Sequence, residues 1–290
     1  MPQVQIQIVT WNSRIHLERL FRGIEKQEGV DLSIVIIDNA SRDGTMEWLR
    51  SSNPHPSLSL EGRGNIRIIQ NQTNRGFAAA HNQGFAICEA PYVLVLNPDT
   101  ELQAGYLAEV LRVIESTAPL TLTLSRRERG LSESRIASVQ GKLYRELPRG
   151  EKYGIIDSCG LEMRKWSRVV DIGQNSADKG DFGVQTEVFG ATGACALYRL
   201  QALKQVADKH GIFDERFGSY KEDVDLAWRL HRAGWKAVFT PQATAWHGRR
   251  VGKGDRRSWK IRYLSLRNQM LMILKNVKVQ NPNVKSRPND

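Results

Sequence analysis

Cysteine is scarce in this chain. Cys88, Cys159 and Cys195 are the only three among 290 residues, odd in number and far apart, which excludes a disulfide framework and makes a reducing compartment the expectation. Long apolar runs are missing as well: none reaches the roughly 18–20 residues that a membrane-spanning helix needs. The N-terminal residues enter a strand pattern at once, without the basic, apolar and small-residue order of a secretory leader. A cytoplasmic protein is therefore expected, free or peripheral at the inner face of the cell membrane. No glycine-rich phosphate loop of the P-loop or dinucleotide type occurs. Nucleic acid is not an expected partner, because the basic C-terminal part carries few aromatics (Trp259 and Tyr263) and no known binding module.

What is present is ordinary in amount and uneven in placement. Hydrophobic residues make up 40% and charged residues 25% of the chain, the balance of a globular protein long enough for a substantial core. The net charge of +11 is concentrated at one end: Arg249–Asp290 holds 12 Lys/Arg and 2 Asp/Glu, leaving 30 and 29 in the first 248 residues. The expected division is a nearly neutral domain, 1–248, and a basic, amphipathic extension, 249–290. Such an extension suits a polyanion, either a phosphorylated substrate or an anionic membrane surface.

The first hundred residues alternate between short apolar strands and helical patterns. Val4–Thr10 reads as a strand. Ser13 is placed to cap a helix whose Leu17, Leu20, Phe21 and Ile24 share one face. Ser33–Asp38 and Ile66–Gln70 read as the next strands, with a short helix through Met46, Trp48 and Leu49 between them. Asn74–Ala90 reads as a helix, and "YVLVL" (Tyr92–Leu96) as the fourth strand. This alternation predicts an α/β fold with a mostly parallel central sheet and helices on both faces. In such sheets ligands bind at the carboxyl ends of the strands, where Thr10-Trp11-Asn12, Asp38-Asn39 and Asn97-Pro98-Asp99 stand. "PHPSLSLEGRG" (54–64) and "APLTLTLSRRERG" (118–130) resemble one another and interrupt the pattern, so both read as surface insertions without a catalytic role.

Further along, Ile136–Tyr144 reads as a strand and "GIIDSCGLEMRKWSRVVDIG" as a hairpin or meander. "GIFDERFGSYKEDVDLAWRLHRAGW" runs into a helix ended by Gly234. Lys236–Thr240 reads as a strand halted by Pro241, and "WKIRYLSLRNQMLMILKN" as a last helix. Glu222, Asp223 and Asp225 open the helix before Gly234. One carboxylate there favours the helix dipole by about 0.3–1 kcal/mol. Three in four positions repel one another, which points to a general base at the mouth of a cleft. Asp99 closes a buried strand, and His247 follows a later one. Imidazole, carboxylate and phosphate oxygens together suit Mn²⁺ or Mg²⁺.

"IVTWNS", "IIDNASRDGT", "NRGFAAAHNQG", "VLVLNPDT", "FGATGACALYR", "FDERFGSYKEDVDLAWRLHRAGW" and "AWHGRR" occur in this order. Together they resemble glycosyltransferase family 2, close to its bacterial rhamnosyltransferase-like branch, over roughly Val4 to Asn276. The resemblance implies a GT-A fold and an inverting transfer of a sugar from a dTDP-, UDP- or GDP-linked donor to a hydroxyl of a glycan or lipid-linked acceptor, in cell-surface polysaccharide synthesis. It further implies that Thr10, Asn12 and Asp38 hold the nucleotide, that Asn74, Gly76 and Asn82 line the donor side, and that Asn97-Pro98-Asp99 stands at the Asp-x-Asp metal motif. By the same resemblance Asp223 is the catalytic base, Glu222 and Asp225 orient base or acceptor, His247 completes the metal site, and Gly193 lies under the acceptor. Asn97 departs from the pattern by removing one anionic oxygen. For a lipid-linked acceptor, the basic tail and the last helix are expected to dock at an anionic membrane. A non-catalytic nucleotide-sugar-binding relative and a nucleotidyltransferase are the alternatives. Retention of Asp99, Asp223 and His247 speaks against the first, and the lack of a glycine-rich loop after the first strand speaks against the second.

Overall fold

The fold is known from a computed structural model that describes residues 3–51, 66–116, 135–145, 154–248 and 259–277. Both expected insertions, 54–64 and 118–130, lie outside the described residues. The first half follows the expected alternation: β1 (Val4–Thr10), α1 (Arg14–Glu25), β2 (Leu32–Asp38), α2 (Thr45–Arg50), β3 (Ile66–Gln70), α3 (Phe77–Ala86), β4 (Tyr92–Leu96), β5 (Thr100–Leu102) and α4 (Tyr106–Glu115). The second half supplies β6 (Ile136–Arg145), β7 (Ile156–Ser158), the hairpin β8 (Leu161–Arg164) and β9 (Arg168–Asp171), β10 (Thr186–Val188), β11 (Cys195–Arg199), α5 (Leu200–Val206), α6 (Glu222–Arg232), β12 (Lys236–His247) and α7 (Trp259–Val277).

The main sheet runs β10-β12-β6-β11-β4-β1-β2-β3. β1 pairs in parallel with β2 and β4, β2 with β3, and β12 with β6, while β11 and β10 are antiparallel to their neighbours. Helices cover both faces, so central strands are buried throughout, and alternate residues serve opposite cores. In β4, Leu94 and Leu96 join the core with α1, α2 and α4, whereas Val93 and Val95 join the core with α3, α5 and α6. The register sets Thr10 beside Asp38 and Asp38 beside Gln70, one row along the carboxyl edge of the sheet.

Four local expectations are corrected. Ser13 does not cap α1; its Oγ accepts the Trp11 N–H instead. The helix expected from Asn74 begins at Phe77, because Gly76, at φ +83°, holds an extended turn before it. Pro241 does not halt a strand. β12 continues to His247, and the proline falls where the register with β6 shifts between Thr240 and Thr244, a bulge in which no ladder donor is needed. The last helix is not amphipathic in the expected sense: Asn268, Met272 and Asn276 are buried while Leu266, Met270 and Leu274 are exposed.

Candidate functional site

The residues expected on the nucleotide side converge at the carboxyl ends of β1, β2 and β3, except Asn82. Thr10 and Asp38 are fully buried, and the Thr10 hydroxyl donates to Asp38 Oδ1 at 2.8 Å. Asp38 also accepts the Ser41 N–H at 3.0 Å, which closes the "NASRD" turn. Asn12, at φ +52°, accepts the Arg42 N–H on its side-chain oxygen at 2.8 Å. Asn39 is the hub: its amide donates to the Gly76 carbonyl at 3.1 Å and accepts from Asn71 at 2.9 Å. Asn74 accepts the Gly76 N–H at 2.9 Å. Trp11 is 58% exposed at the same edge. Asn82 stands apart from this group. Its amide donates to the Phe213 carbonyl and accepts the Phe213 N–H, at 2.8 and 3.1 Å, so it fastens α3 to the loop before α6.

Asp99 and His247 meet because β5 zips onto the end of β12. Thr100 pairs with His247, and the Gly248 N–H donates to the Asp99 carbonyl at 2.6 Å. His247 Nε2 then lies 3.3 Å from Asp99 Oδ1 and 3.5 Å from the Asn97 amide. On its other side, Nδ1 lies 2.7 Å from Asp157 Oδ2, and Asp157 in turn accepts from Arg145 Nε at 2.9 Å. Burial disfavours a charged His247, yet the hydrogen bonds and charges of Asp157 and Asp99 outweigh it and raise its pKa to about 9. Burial likewise works against the Asp99 carboxylate, but His247 more than offsets it and holds the carboxyl below its usual range.

One carboxylate oxygen and one imidazole nitrogen therefore face each other, with the imidazole oriented from behind by a second carboxylate. That donor chemistry fits a divalent cation completed by phosphate and water oxygens. Among the described residues no group of three or more His, Cys, Asp or Glu side chains converges to hold a metal ion unaided. Asp157 escaped the sequence reading. It sits in a three-residue strand without a pattern of its own, and the histidine it orients is 90 residues away.

The acidic cluster divides. Asp223 and Glu222 line a cleft of ≈ 1010 Å³ whose floor includes Asn97 and Gly193–Ala194, with the β8–β9 hairpin and α7 as walls. Asp223 Oδ2 accepts the Gly193 N–H at 3.0 Å, and the Asn97 N–H donates to the Ala194 carbonyl at 2.8 Å, so two hydrogen bonds tie the acidic helix to the β4 corner. Glu222 is buried, and its Oε2 has no hydrogen-bond partner among the described residues. Burial first, and the charge of Asp223 second, push its carboxyl well above the usual range. Asp225 does not join this pair. It is fully buried and accepts from Arg229, Lys275 and Asn276 at 2.8, 3.0 and 2.9 Å, which fastens α6 to α7.

The turn that delivers Asp223 is held from α7. Tyr220 and Lys221 take φ of +73° and +75°, a region costly for residues with side chains. The Asn268 amide donates to the carbonyls of Phe217, Ser219 and Tyr220 at 2.9, 2.9 and 2.7 Å, and Arg267 adds a bond to Phe217. Gly76 touches the same turn: a Cβ there would stand 2.9 Å from the Gly218 carbonyl oxygen, and the Ala78 N–H donates to that oxygen at 3.0 Å. The Asn74–Gly76 turn and the acidic turn thus abut through backbone.

Comparison with known proteins agrees with this architecture. The family model "Glycosyl transferase family 2" matches residues 6–207. The N-acetylglucosaminyl-diphospho-decaprenol L-rhamnosyltransferase of Mycobacterium tuberculosis H37Rv is 26% identical over 256 residues, 82% of this chain and 74% of that protein. The GalNAc(5)-diNAcBac-PP-undecaprenol beta-1,3-glucosyltransferase of Campylobacter jejuni is 25% identical over 113 residues, 39% of this chain and 34% of that protein. Among solved structures, GalNAc-T7 with UDP, GalNAc and Mn²⁺ superposes with a TM-score of 0.65 at 14% identity, covering 94% of this chain and 48% of that one. The mannosyltransferase PcManGT of Pyrobaculum calidifontis, with GDP-Man and Mn²⁺, gives 0.59 at 18% identity, covering 99% and 66%. This chain thus spans less than two thirds of either solved chain. The fold they share is GT-A, as the sequence motifs led one to expect.

Proposed function

The chain belongs to glycosyltransferase family 2, and on that premise we propose that it is an inverting transferase acting at the cytoplasmic side of the membrane. It moves a rhamnose-like or other hexose from a dTDP-, UDP- or GDP-linked donor to a hydroxyl of a glycan or lipid-linked acceptor, in cell-surface polysaccharide synthesis. The observation that carries this reading is a single cleft walled by both Asp223 and Asn97, with the Asp99–His247 pair against Asn97.

The exposed Asn12 turn, braced from beneath by the buried Thr10–Asp38 pair, holds the base and ribose, with Trp11 offering an aromatic face on which a base stacks. The Asn74–Gly76 turn lines the donor. Asp99 and His247 would hold Mn²⁺ or Mg²⁺, which supplies neutralisation of the charge that grows on the departing nucleoside diphosphate. Asp157 keeps the His247 ring turned so that Nε2 faces that position. The acceptor hydroxyl lies over Gly193, where Asp223 removes its proton as the oxygen attacks the anomeric carbon opposite the leaving group. One displacement inverts that centre, and no carboxylate nucleophile is required. Burial and the neighbouring Asp223 push the Glu222 carboxyl above its usual range, and Asp223, which accepts the Gly193 N–H, is the proton acceptor of the adjacent pair. Asn82 and Asp225 act at a distance, by fixing α3 and α7.

The test is a screen of nucleotide-sugars with and without Mn²⁺ or Mg²⁺, for wild type and Asp223→Asn. Wild type releases nucleoside diphosphate from a preferred donor in an acceptor-dependent way, and the variant falls by about 10²–10⁴-fold. Equal rates for the two proteins remove Asp223 from its role.

A further inference from the structure

Helix α7 carries apolar side chains on two sides. Its most deeply buried residues are Asn268, Met272 and Asn276, at 0, 0 and 3% exposure; the two amides hold the acidic turn and Asp225, while Leu271 and Ile273 pack, partly buried, on the same core as Met272. Its outward residues are Tyr263, Leu266, Met270 and Leu274, at 63, 64, 59 and 51% exposure. At 100° per residue these four occupy one stripe roughly 80° wide, opposite the buried face. A helix at a water-covered surface turns polar residues outward. The inward amides are explained by the turn they secure. The outward stripe has no counterpart in the described fold, and a contiguous apolar stripe marks an interaction surface.

The stripe adjoins the cleft. Ser265, Leu266, Gln269 and Ile273 line it together with Asp223, so Leu266 belongs to both the cleft wall and the outer stripe. Charge points the same way: the sequence from Arg249 to Asp290, which contains the helix, carries 12 basic and 2 acidic residues. Resting on the lipid-linked acceptor argued above, we propose that the outer face of α7 docks on an anionic membrane. The apolar stripe enters the headgroup boundary while the basic sequence that flanks the helix meets anionic lipid. The cleft then opens along the bilayer surface, and an acceptor anchored in the bilayer presents its sugar to Asp223 without leaving it.

Full-length protein is floated with vesicles of phosphatidylcholine alone and of phosphatidylcholine with an equal part of phosphatidylglycerol, without donor or acceptor. Wild type floats with the anionic vesicles and is released as salt rises. Met270→Gln/Leu274→Gln binds them roughly ten-fold or more weakly, yet keeps its rate on a short water-soluble acceptor. Asp223→Asn floats as wild type does, which separates docking from the catalytic reading: loss of turnover with retained flotation leaves the docking proposal standing. Equal flotation of wild type and the double variant overturns it. So does a wild-type dimer in solution that the double variant converts to monomer, since the stripe is then a contact between two copies.

Discussion

His247 is held between two carboxylates: Nδ1 meets Asp157 at 2.7 Å, and Nε2 faces Asp99 at 3.3 Å. Asp157 is itself anchored by Arg145 at 2.9 Å. The strand ladder makes this chain of groups. β6 pairs with β12 on one side and β7 on the other, so Arg145, His247 and Asp157 stack across neighbouring strands.

Asp157→Asn is expected to weaken Mn²⁺ binding by about 10–100-fold while the fold is retained, because the amide no longer fixes ring orientation or raises ligand basicity. Titration calorimetry or the Mn²⁺ spin-resonance signal, with circular dichroism as the control, reads this without turnover. An unchanged affinity sinks the role.

Metal binding is expected to be pH-dependent. Without an ion His247 keeps its proton up to pH about 9, and a ligating imidazole must lose it. Mn²⁺ affinity therefore rises by up to about ten-fold per pH unit below that value and levels off above it. Affinity flat between neutral and alkaline pH contradicts the arrangement.

Glu222→Gln is expected to stabilise the protein in alkaline solution. The folded-state pKa of Glu222 lies above its unfolded value, so its contribution is fully present below the unfolded pKa and is lost as pH rises through the folded one. Glutamine keeps the shape without the charge. A gain of about 1–3 kcal/mol at alkaline pH, shrinking toward pH 4, is the expected pattern in thermal melts.

Asn268→Ala removes the donor shared by three carbonyls of the acidic turn. We expect a loss of about 1–3 kcal/mol in stability. Turnover should also fall, with donor affinity unchanged, because Tyr220 and Lys221 lose the contact that keeps them at positive φ. Donor affinity falling in step with turnover would place the effect elsewhere.

Gly76→Ala is expected to disturb both halves of the site together. The position has φ +83° and ψ 168°, a conformation essentially confined to glycine and costing about 1–3 kcal/mol otherwise. A methyl would also press on the Gly218 carbonyl oxygen. Donor binding and turnover should both drop, as nucleotide titration and rate measurements would show.

The sequence by itself determined the strands that build the sheet and the carboxyl edge that ends them. Tyr92–Leu96 is the continuous apolar run that a strand buried on both faces needs, Val4–Thr10 and Ile66–Gln70 are shorter apolar patterns broken by Gln5, Gln7 and Arg67, and all three have the observed bounds because polar or turn residues follow them. It also brought forward Asp38, Asp99, Asp223 and His247, whose charge or ring is anomalous where it stands. Only the tertiary structure decided how such groups divide the work. Glu222, Asp223 and Asp225 share one helical turn, but a helix turns about 100° per residue, so two face the cleft and the third is consumed by α7. Asp157 had no local signal at all, since its partner is reached only through strand pairing. Nor did composition reveal that α7 turns Asn268 and Asn276 inward and Leu266, Met270 and Leu274 outward. That orientation follows from three carbonyls of a strained turn needing a donor, a demand set by long-range packing and absent from the periodicity of the helix itself.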